Sequence, residues 1–366
     1  MRSPLPRVAI VAASLDILGG QGVQARALAD GLRHDGYPVT LVPINPRFPR
    51  GLGWVRRIRF VRTLLNQLLY LPSLARLARA DVVHVFSASF WSFLLAPVPA
   101  MGAARLFRAR VVLHYHSGEA PEHLGQWGVL VHPWLRLADV IVVPSGYLAA
   151  VFARHGHATQ VIRNVVDVTR FVYRERVPLR PRLISTRNLE PYYRVDIVLE
   201  AFALVRAEVP AATLTLAGYG SESARLRRLA RAGVRFVGRI EPGAMPRLLD
   251  DADIYVNASV VDNQPVSILE ALAAGLPVVS TPTGDIAAMV RPDETGLIAP
   301  PLDPGALAAA VLALLRDPDR ATRLARRAHE ECDRYTWSAV RDQWAAVYAP
   351  GPAADRPAQA PVRETA

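Results

Sequence analysis

Two α/β domains, each a parallel sheet wrapped by helices, are predicted for this chain from three observations. Its 366 residues are long for one hydrophobic core, because single cores stop growing at roughly 250–300 residues. Short apolar runs ending in small residues alternate with helix-like stretches along nearly the whole chain, the rhythm of βαβ units. That rhythm breaks once, at the Arg- and Pro-rich RERVPLRPRL of residues 174–183, and then restarts.

The first unit opens with RVAIVAAS (7–14), a Gly-rich turn, an amphipathic helix stopped by Gly36 and a strand at 39–44. Further strand patterns fall at 81–86, 110–116, 139–145 and 160–167. After the break, strands are expected at 183–186, 212–220, 234–240, 252–259 and 277–282, with helices at 195–209, 223–232 and over 304–331. The expected division is a first Rossmann-like domain over 1–177 and a second over 178–334. A helix over 335–349, with aromatics at helical spacing, should dock back on the first domain, and the Ala/Pro-rich tail 350–366 should be disordered. Ligands of open parallel sheets bind beyond the strand carboxyl ends, so two facing domains imply a deep cleft between them.

Composition narrows the function. Hydrophobic residues make up 51% and charged residues 20%, a globular soluble balance. The net charge is +11 and the sequence contains no lysine, so all 43 basic residues are arginine. No nucleic-acid motif accompanies them and aromatics are not interleaved with them, so no nucleic-acid partner is expected. Anionic lipid or phosphorylated substrates suit such a surface instead. The single cysteine, Cys332, permits no internal disulfide and fits a reducing compartment. The N-terminal residues lack a signal-peptide apolar core, so a cytoplasmic location is expected. Residues 82–104 carry no acidic side chain and no Arg, and read as buried strand, loop and helix rather than a membrane span.

Five loops after strands could carry chemistry. LGGQGVQ (18–24) can bring backbone N–H groups to an anion at a helix start, although it is neither a dinucleotide fingerprint nor a Walker loop. LHYHSGEAPEH (113–123) places His114 and His116 on one strand face; no HExxH or CxxC supports a metal there, and one cleft histidine bonding a polar ligand is the better reading. In STRNLEPYYRVD (185–196), Arg187 or Arg194 could hold a diphosphate in bidentate fashion, or both could be solvated. LAGYGSE (216–222) is a weak GxG. In VDNQPVSILEALAAG (261–275), Pro265 suits a helix start with Asn263 as cap, and Gly275 ends it. Glu270 shares a face with Asn263 and Ser267, where a carboxylate could bind vicinal hydroxyls. By themselves, Glu270 reads first as a solvated helix residue and Asp262 as a capping one.

The order of these elements resembles the retaining glycosyltransferases of family 4 (glycosyl transferases group 1), which have the GT-B fold of two facing Rossmann-like domains. GGQGVQARALADGLRHDGYPVTLV, VVLHYHSG, VIRNVVDVTRF and DNQPVSILEALAAGLPVVSTPTGD carry the likeness, which spans residues 7–348. It implies transfer of a sugar from a nucleotide diphosphate sugar to a glycan or lipid-linked acceptor hydroxyl, with anomeric retention, no metal or other cofactor, and a domain closure that expels water. Gly19 and Gly20 would approach the donor phosphates or sugar, and His116 would lie beside the sugar. Arg187 or Arg194 would meet the diphosphate, and Gly238, Arg239 and Ile240 would border the nucleobase. Asp262 and Asn263 would face the transferred sugar. Ser267, Ile268 and Leu269 would offer backbone N–H groups to the phosphates, and Glu270 would bind the ribose.

Two departures from the family pattern stand out. Tyr193 occupies the place of a family lysine, which motivates the alternative of a noncatalytic nucleotide-sugar-binding protein. Asp262 replaces a glutamate, with Asn263 and Gln264 in place of the usual glycine and aromatic. The basic, Leu-rich stretch 53–80 could lie on an anionic membrane, or form a packed helix pair with an Arg-rich outer face.

Overall fold

The computed structural model describes residues 5–14, 20–46, 48, 54 and 58–349. Gly19 and the tail 350–366 lie outside the described residues, as do most of positions 49–57. The first sheet contains β1 (Val8–Ala12), β2 (Val39–Pro43), β3 (Val82–Ser87), β4 (Arg110–Tyr115), β5 (Val140–Val143) and β6 (Gln160–Val161), in the order β2-β1-β3-β4-β5-β6. The second contains β7 (Arg182–Ser185), β8 (Thr213–Ala217), β9 (Val234–Gly238), β10 (Ile254–Val256), β11 (Val278–Ser280) and β12 (Leu297–Ile298), in the order β12-β11-β10-β7-β8-β9. Neighbouring strands pair in parallel throughout.

Parallel pairing explains the unbroken apolar runs. Helices cover both faces of such a sheet, so every residue of β1 and of β3 is buried. The uncharged run 82–104 resolves into β3 and the helices Phe90–Leu95 and Pro97–Leu106. Among the described residues, no helix is long and apolar enough to cross a membrane. Strand order reverses between β1 and β3 in one sheet and between β7 and β10 in the other. Crevices open at such reversals, and here the two face each other.

Two expectations change. The strand predicted over 160–167 ends at Val161, because the backbone beyond it bonds to side chains instead of a ladder: Asn164 N–H donates to Gln264 Oε1 and Val165 N–H to Gln24 Oε1, each at 2.7 Å. The helices expected over 304–331 are Pro304–Arg316 and Pro318–Glu330. Pro318 cannot continue the first, and Asp317 caps the second by accepting from Arg320 N–H at 2.9 Å. The outer face of the helix Arg59–Ser73 is mainly apolar, with Arg62 exposed beside it. Phe60, Leu64, Leu68 and Leu71 are exposed, because its polar anchors turn inward: Asn66 Nδ2 donates to Ile44 O at 2.8 Å and Tyr70 OH to Ala96 O at 2.8 Å.

The helix Trp337–Tyr348 closes the first domain. Val340, Trp344, Val347 and Tyr348 share one core cluster with Val8, Ile10, Val82 and Val112. Trp337 Nε1 donates to Asp35 Oδ2 at 3.0 Å, and Arg110 Nε to Val347 O at 3.0 Å. Replacing Trp344, fully buried here, with alanine leaves a large cavity. Trp344→Ala is expected to lower unfolding free energy by about 3–5 kcal/mol, measured by urea denaturation.

Candidate active site

A cavity of about 440 Å³ separates the domains. The loops that line it follow β1, β3, β4 and β6 on one side and β7, β8, β9 and β10 on the other.

On the first-domain wall, Gly20 begins the helix Gly20–His34, and its neighbour Gln21 donates from Nε2 to Ser87 O at 3.0 Å. His116 follows β4. Its ring stacks on Phe86 with centroids 5.1 Å apart and lies 4.0 Å from that of His114. Burial pushes its pKa down to about 3, so the imidazole is neutral. His116 Nε2 has no partner among the described residues. His114 belongs to the core: its Nδ1 meets His84 Nε2 at 3.1 Å, and His84 Nδ1 meets Tyr348 OH at 2.7 Å. Among the described residues, no group of three or more His, Cys, Asp or Glu is placed to hold a metal ion.

The two candidate arginines part company. Arg187 lines the cavity. Its Nη2 is ion-paired with Asp262 Oδ2, its Nη1 donates to Ser267 Oγ at 2.8 Å, and its guanidinium lies 4.0 Å over the Tyr193 ring. Burial opposes its charge, but Asp262 and then Tyr193, Tyr255 and Tyr192 outweigh it, and its pKa is raised. Tyr193 therefore supports this cation from beneath, at the place where the family carries a second one. Arg194 is elsewhere: it caps the helix Val195–Glu208 and forks onto Asp196 at 2.9 and 3.1 Å. That carboxylate two residues on captures it, so it is not a cleft residue.

The stretch 261–275 is the second-domain wall. The helix Val266–Ala273 starts one residue later than predicted, with Pro265 at the cap position. Asn263 does not cap it; its Oδ1 accepts from Ser145 Oγ of the first domain. Gln264 makes four bonds: Nε2 donates to Pro144 O and Asp285 Oδ2, each at 2.9 Å, Oε1 accepts from Asn164 N at 2.7 Å, and its carbonyl accepts from Asn164 Nδ2 at 2.8 Å. Gly118 lets this loop approach, since a Cβ there would lie 2.6 Å from Asp262 O. Ser267 and Glu270 line the cavity, one turn apart. Ile268 and Leu269 do not offer amides to it: both N–H groups donate to Pro265 O, at 3.1 and 3.3 Å, and both side chains are core. Among the described residues, the Val266 and Ser267 amides meet no acceptor and are the open ones of this helix end. Burial drives the Glu270 carboxyl up to about 7, partly offset by Arg170.

Arg239 and Ile240 line the cavity where β9 ends, beside Gly218 and Tyr219. Gly238 is set back from it, and its carbonyl accepts from Gly218 N–H at 2.8 Å. Gly218 was legible only as a weak GxG. A Cβ there would meet Arg187 O at 2.1 Å, so glycine is what lets the β8 loop brace the backbone of the buried arginine. Asn164 and Tyr192, cavity residues that sequence reasoning passed over, lay in segments read as strand and as loop spacer.

Two doubly wound sheets facing across a cleft that pairs a buried arginine with a helix N-terminus define a GT-B glycosyltransferase. Residues 18–170 match the glycosyltransferase family 4 model and residues 180–317 that of glycosyl transferases group 1. Glycogen synthase of Mycobacterium tuberculosis is 33% identical over 295 residues, 74% of this chain and 69% of that one. Phosphatidyl-myo-inositol mannosyltransferase of Mycobacterium leprae is 26% identical, covering 92% and 94%. Among solved structures, Anabaena HepE with UDP and glucose aligns with a TM-score of 0.71 at 20% identity, covering 93% of this chain and 98% of that one. Sucrose-phosphate synthase of Thermosynechococcus elongatus aligns with a TM-score of 0.75 at 20% identity, covering 94% and 98%. The chain belongs to glycosyltransferase family 4.

Glu270 makes stability depend on pH. Its carboxyl titrates near 7 in the folded protein against an ordinary value of roughly 4.3 in the unfolded chain. The folded state therefore holds the extra proton between those values, and stability falls as pH rises through that window. Glu270→Gln is expected to melt above wild type at pH 8 and to match it near pH 4.5, read from thermal unfolding at both values.

Proposed function

We propose that this protein is a retaining glycosyltransferase that moves a sugar from a nucleotide diphosphate sugar to an acceptor hydroxyl in glycan, polysaccharide or glycolipid synthesis. One observation carries the reading: a buried, charged Arg187 beside the N-terminus of the helix Val266–Ala273, with Glu270 one turn along and a neutral His116 across the cavity. A diphosphate beside Arg187 would meet a cation and two unspent amides, Val266 and Ser267. Glu270, one turn along the same cavity wall, would accept from two ribose hydroxyls.

In the reaction, the bond from the sugar's anomeric carbon to the diphosphate oxygen breaks, and a bond to the acceptor oxygen forms on the same face. The acceptor's proton passes to the leaving phosphate oxygen. Negative charge grows on that diphosphate, and preorganised Arg187 and the helix amides stabilise it without reorganising. Asp262 is held by Arg187 and by its neighbour's amide, Asn263 N–H at 3.0 Å. That engagement favours a sugar-facing, charge-balancing role over attack as a nucleophile. The cation is supplied by the chain, so the mechanism calls on no metal. His116, neutral and with Nε2 unspent, suits a hydrogen bond to the sugar.

The lipid side of the reading rests on the exposed apolar face of the helix Arg59–Ser73, with Arg62, Arg76 and Arg79 exposed beside it. Such a face with basic flanks suits the surface of an anionic membrane on the cytoplasmic side, where a lipid-linked acceptor would lie. One similar protein is named for a phosphatidyl-myo-inositol acceptor.

A panel of nucleotide sugars in a thermal-shift assay, followed by radiolabel transfer, tests the main reading. At least one donor should raise the melting temperature, and Glu270→Ala should weaken its binding by about tenfold or more. No shift with any donor overturns the proposal; a shift without transfer to any acceptor favours the noncatalytic alternative suggested by Tyr193. Flotation with phosphatidylserine vesicles tests the membrane surface. Wild type should float at low salt and a Leu64→Glu, Leu68→Glu variant should not; equal flotation of both, or none of wild type, removes the membrane from the proposal.

A further inference from the structure

We infer that Glu119 selects the acceptor, its carboxylate accepting from hydroxyls of the acceptor ring and disfavouring a ring that carries a phosphate there. The inference rests on the glycosyltransferase reading above and gives that reaction an acceptor chemistry. Among the described residues, three carboxyl side chains line the cavity: Glu119, Asp262 and Glu270. Asp262 is already engaged, ion-paired with Arg187 and accepting from Asn263 N–H at 3.0 Å. Glu270 sits one turn along the helix whose amides face the donor, and it titrates near 7. Glu119 differs from both. Its backbone is engaged, since its N–H donates to Ser117 Oγ at 3.2 Å and its carbonyl accepts from His123 N–H at 3.0 Å. Its carboxylate meets no hydrogen-bond donor and no arginine among the described residues, in a chain with 43 arginines.

Its place in the cavity decides what it meets. Gly118, the residue before it, packs against the Asp262 backbone, so closely that a Cβ there would lie 2.6 Å from Asp262 O. Glu119 therefore stands beside the sugar-facing acid, on the first-domain wall. An unpaired carboxylate would repel the donor diphosphate, which has Arg187 and the helix amides on the other wall. The acceptor is the substrate left for it. An ionised carboxyl only accepts hydrogen bonds, so it suits hydroxyls. Burial, and then the charge of Glu122, raises the Glu119 pKa, and a phosphate alongside would add further like charge. Tyr192 completes the pairing from the second-domain wall. Its carbonyl accepts from Val260 and Val261 N–H at 2.9 and 3.4 Å, which ties it to the loop carrying Asp262. Burial, then Tyr193, Glu190 and Glu119 in turn, raise the Tyr192 pKa, so its hydroxyl is neutral and it lies near enough to feel the Glu119 charge. A carboxylate for hydroxyls and an aromatic face for C–H groups together match a neutral sugar or polyol ring.

The test uses the full chain, a donor that raises its melting temperature, and acceptors in pairs: octyl glycosides, and the same glycosides with a phosphate on the ring. Wild type should favour the neutral member of a pair by about tenfold or more in kcat/KM. Glu119→Gln keeps the shape and removes the charge. It should lose about tenfold on the neutral acceptor, through acceptor KM, and move donor KM little. The neutral-to-phosphorylated ratio should narrow by a similar factor. A residue that only shaped its loop would lower both members alike and leave the ratio at its wild-type value. That unchanged ratio overturns the inference, as does a wild type that prefers the phosphorylated member or transfers to no neutral one. Donor KM rising in step with acceptor KM assigns Glu119 to the donor and overturns it too. The substituted side chain is exposed, and an unchanged donor-induced melting shift shows that the variant folds. A wild type that binds no nucleotide sugar fails the glycosyltransferase reading itself, a result distinct from an active enzyme whose ratio does not move.

Discussion

Gln264 makes four hydrogen bonds, three of which join the two halves of the cleft, and the geometry of the site descends from them. The side chain is 5% exposed, so each bond it gives up would leave a polar group buried and unpaired. Its partners are the Pro144 carbonyl and both nitrogens of Asn164 in the first domain, and Asp285 in the second. With Gln264 so placed, Asn263 is positioned to take the Ser145 hydroxyl, and the Asp262 carbonyl lies against Gly118. Asp262 in turn holds Arg187, which reaches Ser267 at the helix start. The position of the cation in the site thus depends on an amide that never touches it.

The sequence told the fold well because a parallel sheet writes itself locally. Each strand is an apolar run such as VAIVA or VVHVFS, and each ends where small or polar residues begin. A local pattern misleads where a partner distant along the chain decides the outcome. Residues after Val161 look like strand, yet their backbone is claimed by Gln24 and Gln264. The leucines of the helix Arg59–Ser73 look like a buried face, yet Asn66 and Tyr70 determine which side turns inward.

The same division applies to the site. Glu270, Ser267 and Arg187 line the cavity; spacing alone leaves Glu270 and Arg187 as solvated residues, and the order of elements shared with the family is what marks all three. Arg194 looked equivalent to Arg187 in the sequence; the difference is Asp196, close enough to capture it. Asn263 and Gln264 read as departures in a sugar pocket, and their side chains instead bind the opposite domain. Spacing cannot reveal this, because Ser145 and Asn164 lie about a hundred residues away or more. Ile268 and Leu269 carried roles implied by the family likeness, but their amides are spent on Pro265 within the helix's own first turn.

The chain passes between the domains twice, once after β6 on the way to β7 and again from the helix Pro318–Glu330 to the helix Trp337–Tyr348. The two passages are stitched together, since Val166 N–H donates to Tyr335 O at 2.8 Å. A single connecting thread would let one domain spin and tumble relative to the other. Two threads pinned side by side behave like a pair of door pins on one frame: they permit a swing and resist a twist. Walls carried on such a frame resist slipping sideways past one another, so His116 and Arg187 keep a fixed lateral register across the cleft.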